Sequence, residues 1–171
     1  MNREPIKIIA DTIKDFMALA DDQIYIYNQD FNIKNTGGLQ VVIQYNSSTP
    51  YSITNKFIPA NEGVEGAIQK LRLLTREDYT INVISKTDEA RQRKEEVLLS
   101  LITQNASDLQ EEYQFKIFNI SSGFIDVSEV EASGTLNRYA ISISLLTSYN
   151  REIDAPYYDT FTIEDAKVDA L

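Results

Sequence analysis

Any chemistry in this chain would have to be built mainly from carboxylates. The 171 residues include 26 Asp and Glu against 16 Lys and Arg, for a net charge of −10, with no His, Cys or Trp. Without Cys there is no disulfide, no thiolate nucleophile and no zinc–thiolate site. Without His the usual general base at neutral pH and the commonest transition-metal ligand are missing, which removes Ser-His-Asp and Cys-His catalysis. An enzyme would be left with carboxylates, Lys, Tyr or a bound Mg²⁺. Close acid pairs stand at Asp21/Asp22, Glu95/Glu96, Glu111/Glu112 and Glu129/Glu131. A glycosidase needs two carboxyl groups converging across a cleft, whereas sequence neighbours on a helix diverge. These pairs therefore read as solvated surface. NEGVEG at 61–66 lacks phosphate-loop spacing and a following Lys-Ser/Thr, and no run of alternating acids precedes a Gly as in a calcium loop. The expectation is a protein that is not an enzyme, with no catalytic residue, cofactor or metal site.

The charges that could do something else lie in TDEARQRKEEVLLSLIT, residues 87–103. Arg91, Arg93 and Lys94 cluster there, flanked by four acids. Glu89–Arg93 and Arg91–Glu95 are spaced as i,i+4 helical pairs, each contributing ~0.2–0.5 kcal/mol. This reads as a neutralised helix face, because a DNA binder needs a basic stripe to release counterions. An acidic surface instead lets DNA pass without holding it. Arg91, Arg93 and Glu95 are candidates for contact between subunits, where charged pairs set register more than affinity. Arg138 is a further candidate. So are Tyr157, Tyr158 and Phe161 in PYYDTF at 156–161, since Tyr and Phe favour interfaces; closing this segment on its own domain is the alternative.

The elements that carry these residues follow from periodicity. Residues 5–20 set Ile6, Ile9, Ile13, Phe16, Met17 and Ala20 on one stripe behind Pro5, which predicts a helix. QIYIYN at 23–28 alternates as a strand, and NIKNTGGLQ at 32–40 is a turn. Leu39, Val41, Ile43 and Tyr45 then share one face of a second strand. Residues 48–63 hold two prolines and read as a long loop with room for a short edge strand at 51–57. From 67 to 85, Leu71, Leu73, Tyr79, Ile81 and Val83 keep odd phase across TRED at 75–78. One long or bulged strand fits that phase better than two short ones, with a tight turn at 76–78 as the rival.

Thr87 or Asp88 is the expected cap of the next helix, with Ala90, Val97, Leu98, Leu101 and Ile102 packed down. That helix should be exposed at its start and buried at its end. Ser107-x-x-Gln110 predicts one further helical turn, Phe115 and Ile117 a strand, and residues 123–137 an acidic, turn-rich connection. In 136–150, Tyr139, Ile141, Ile143, Leu145, Thr147 and Tyr149 oppose Arg138, Ala140, Ser142, Ser144 and Ser148, a clear strand. The sum is a single α+β domain over residues 1–171, a mainly antiparallel sheet with two main helices on one face and an extended tail from about 151. No apolar run suits a membrane span, and the first residues do not read as a signal peptide.

Three segments in order, SKTDEARQRKEEVLLSL (85–101), FKIFNISSGFIDVSEVEASGTLNRYAISISLLTSYNRE (115–152) and PYYDTF (156–161), resemble the bacteriophage neck or tail terminator proteins; LLTREDYTINVIS (73–85) fits ahead of them. The first 60 residues share only the helix-then-strands plan. The resemblance implies a structural protein that closes a ring, usually of six subunits, at the top of the phage tail. One ring face would end polymerisation of the tail tube protein, and the other would meet the head-side connector or stopper protein. DNA would pass through the lumen without sequence-specific binding. The resemblance places such a chain in the virion neck, assembled in the bacterial cytoplasm and away from membranes, and offers no catalytic residues to carry over. A head-completion stopper or tail-tube subunit of the same architecture is the nearest alternative, and a carboxylate-based hydrolase the more distant one.

Overall fold

A computed structural model describes residues 4–27, 38–59, 67–131 and 134–155. Helix α1 (Pro5–Phe16) buries Ile6, Ile8, Ile9, Ala10, Thr12 and Ile13. It ends earlier than its apolar stripe suggested, because the backbone turns left-handed at Ala18 (φ 51°). There Ala18 N–H donates to Asp15 O and Leu19 N–H to Lys14 O, the paired closure of a Schellman turn. Met17 and Leu19 fold under this turn, while Phe16 and Ala20 face solvent instead of the core.

A short 3-10 turn (Asp21–Gln23) leads into strand β1 (Ile24–Tyr27). Strands β2 (Gln40–Pro59) and β3 (Ala67–Ser85) follow, then helices α2 (Glu89–Leu101) and α3 (Gln104–Glu112). The chain continues through β4 (Phe115–Ile120), the short β5 (Ile125–Asp126) and β6 (Glu129–Glu131), and the long β7 (Gly134–Ala155). The strand order is β1-β2-β3-β7-β4, with β5 and β6 pairing along the start of β7. Every pairing is antiparallel except β1 with β2. The α+β architecture is the one expected, with three additions. Thr103 caps α3 by accepting from Ala106 N–H, which makes it a nine-residue helix rather than a single turn. Residues 125–126 and 129–131 pair with β7 rather than forming only a connection. Residues 151–155, expected in the tail, complete β7.

The largest departure is β2. Residues 48–59 are strand throughout rather than a long loop with a short edge strand at 51–57, and run alongside β3 to Pro59↔Ala67. Two features hid this. Register shifts at Tyr45/Ser47 and Pro50/Ser52 break the alternation, and Pro50 suggests a loop. Beyond Gln44 no described strand lies on the outer side of β2. A proline on such an open edge removes no ladder bond there, and bulges absorb its geometry. β3 crosses TRED unbroken, as its phase implied. Its charges are tolerated because each acid has a partner. Asp78 accepts from Arg76 Nε at 2.9 Å and from the Ser144 hydroxyl, and Glu77 accepts from the Tyr79 hydroxyl at 2.7 Å.

One layer of helices covers the lower half of the sheet. Ile9, Ile13 and Met17 from the α1 region and Ala90, Val97 and Leu101 from α2 pack on Val41, Ile43, Ile81, Val83, Ile141, Ile143 and Leu145. Several are fully buried, and each large one contributes about 1.5–3 kcal/mol relative to exposure. A smaller cluster on the opposite face joins Val42, Ile84 and Leu136, with Tyr25 against them.

Candidate assembly surfaces

The α2 charges divide into two kinds. Arg93 is turned inward: its Nη2 donates to Met17 O at 2.6 Å, its Nε and Nη2 grip both Glu96 oxygens, and its Nη1 reaches Glu89 at 3.2 Å. It therefore ties α2 to the last carbonyls of α1, which a helix C-terminus needs satisfied. The Glu96 bond, opposed by partial burial and aided by Glu89, raises its already high pKa. Arg91 and Glu95 stay exposed, and Glu95 bonds Lys94 rather than Arg91, which lowers its pKa. Lys94 also lies over the Tyr139 ring, 5.2 Å from its centre. The Glu89–Arg93 pair formed as its spacing implied.

The burial of α2 follows the expected gradient, with Val97, Ser100 and Leu101 enclosed near its end, apart from three residues. Ala90 at the start is fully buried, while Leu99 and Ile102 at the end are 50% and 68% exposed. Leu99 and Ile102 lie on the solvent side of the helix, away from Val97 and Leu101, which pack in the core.

Arg138 sits on the sheet face away from the helices, where its Nε donates to Asn82 Oδ1 at 3.1 Å. The small-residue face of β7 is partly occupied here: Ser144 is buried against Asp78, while Ser142 is open. Ser144 first, then Arg76, holds the Asp78 carboxyl below the ordinary aspartate range against its partial burial. Tyr157, Tyr158 and Phe161 lie outside the described residues.

The most prominent surface was not singled out from sequence. Past the helical layer, β2, β3 and β7 continue as a three-stranded arm. Its register aligns Ile53↔Leu73↔Tyr149 and Phe57↔Gln69↔Ile153 on the face that forms the core lower down. No described helix covers it, so Ile53 is 76% exposed, Phe57 63% and Tyr149 53%. A groove lined by Ile53, Leu71, Leu73 and Tyr149 runs along this face, with a cavity of about 330 Å³. Both arm edges are open among the described residues: β1 leaves β2 at Gln44, and β4 leaves β7 at Thr147. The signal was present in the odd phase of Leu71, Leu73 and Tyr149. The prolines and the bulge of residues 48–59 mask the strand that completes this face.

The acid pairs stand on four separate elements: the 3-10 turn, α2, α3 and β6. Among the described residues no group of three or more acids could hold a metal ion, and no helix is long and apolar enough to cross a membrane. No protein-family model matches the sequence, and no curated protein matches it either.

Proposed function

We propose that this chain is a structural protein of a bacteriophage neck, closing a ring, hexameric by the resemblance, at the top of the tail. In that place it ends tube polymerisation and joins the head-side connector while DNA passes through. The observation that supports this reading best is the bare arm. A soluble monomer rarely leaves an apolar groove beside two unpaired strand edges open, since both invite association. A closed ring covers such surfaces by head-to-tail contacts between copies without open-ended growth. The segments that resemble tail terminators cover α2, β3 from Leu73 and β7 up to Glu152, so two of the three arm strands lie partly within them and β2 lies outside. A net charge of −10 suits a channel that does not retain DNA.

Light scattering combined with negative-stain imaging of the purified chain at rising concentration tests the reading. Discrete rings of one size are expected. Open-ended filaments would instead assign a tail-tube role.

A further inference from the structure

We propose that the cleft between the start of α1 and the tyrosines of β2, β3 and β7 binds a cationic side chain, an arginine guanidinium or a lysine ammonium, brought by a second protein chain. The cleft has a volume of about 250 Å³ and is lined by Glu4, Tyr45, Glu77, Tyr79 and Tyr149, with Ile6 and Ile26 among its apolar walls. Glu77 is its chemical centre. One carboxylate oxygen accepts from Tyr79 at 2.7 Å and the other from Tyr149 at 3.2 Å. Burial first and Glu77 next raise both phenols above their ordinary pKa, so they remain neutral donors. A carboxylate fixed in this way has lone pairs to spare, since each oxygen can accept twice.

Among the described residues, the cations near it are engaged elsewhere. Its chain neighbour Arg76 is committed to Asp78 and Ser144, and Glu4 at the rim is met by Lys7 at 3.1 Å. No described Lys or Arg forms an ion pair with Glu77. Tyr45 stands edge-on to Tyr79, with ring centres 5.6 Å apart, which gathers aromatic surface beside the carboxylate. A carboxylate beside several tyrosines selects positive over neutral or negative groups, through charge and through the ring quadrupoles. The site opens toward the arm, because Tyr149 lines both this cleft and the apolar groove with Ile53, Leu71 and Leu73. The incoming segment therefore carries an apolar side chain next to its cation.

The test titrates the full chain with methylguanidinium while following tyrosine ring signals by NMR, with methylurea as the neutral control. Saturable shifts at Tyr79 and Tyr149 are expected with methylguanidinium, and binding about tenfold weaker with methylurea. Glu77→Gln removes the charge but keeps the shape and one acceptor oxygen, and should weaken methylguanidinium by about tenfold as well. Equal binding of the two probes by the unmodified chain overturns the proposal whatever the variant does, as does an unchanged affinity in Glu77→Gln. The titration does not require rings, so its outcome is independent of the neck reading. Saturating methylguanidinium that reduces self-association assigns the cation to a second copy; self-association that persists while the probe binds assigns it to a different protein.

Discussion

The same two strands, β3 and β7, pass through two environments. In the body, Ile81, Ile141, Ile143 and Leu145 lie under helices and are almost completely buried. In the arm, the same face carries Leu73, Tyr149 and Ile153, with Ile53 alongside, and no described helix covers it. Alternation is continuous across the boundary, so what changes is the layer above the sheet, not the strand pattern. Period-two alternation reports which residues share a face. It does not report whether the protein itself covers that face.

This comparison can be broken most directly by truncating one residue on each side. Leu145→Ala should cost about 2–5 kcal/mol in chemical denaturation, because the site is fully enclosed. Ile53→Ala should change monomer stability by less than about 0.5 kcal/mol. Equal losses would mean that the arm face is covered after all. Next in size is Arg93→Met, which strips the Met17 carbonyl and two glutamates of their shared donor and should cost about 1–3 kcal/mol. Arg91→Ala, on the exposed side of the same helix, should stay within about 0.5 kcal/mol. Reversing both arginines together would therefore confuse loss of helix docking with loss of a surface contact.

A smaller gain is expected from Ala18→Gly. The left-handed φ of 51° strains a residue with a Cβ, so thermal unfolding should show roughly 0.5–1 kcal/mol of stabilisation in the body and none specific to the arm. The smallest effect sits where body and arm meet. Asp78 has a folded-state pKa below its unfolded value, so its contribution is present above the unfolded pKa of about 3.9 and fades as pH falls through the folded value. Asp78→Asn should flatten that acid limb, with a difference under about 1 kcal/mol, and hydrogen exchange at neighbouring strand amides should report it.

Much of the body was legible in the sequence. The α1 stripe, the odd phase of β3 and the face of β7 each followed from spacing, and the unbroken passage through TRED followed from phase alone. The arm was not, because Pro50 and two register shifts in β2 carry the local signature of a loop while being compatible with an edge strand. The end of α1 was misplaced because an alanine, rather than a glycine, takes the left-handed position. At the candidate surfaces, the Arg93–Glu89 spacing foretold a bond, but not that the guanidinium would also reach Met17, which lies on another element. Ile102, expected among the packed residues of α2, stands at its C-cap and is 68% exposed.

The central claim is that the uncovered arm face is where copies of this chain meet. Sedimentation velocity of the unmodified chain and of Ile53→Asp, over a range of concentrations, tests it most directly. The unmodified chain should converge on one closed oligomer, and Ile53→Asp should remain a folded monomer. Identical association behaviour of the two proteins would contradict it.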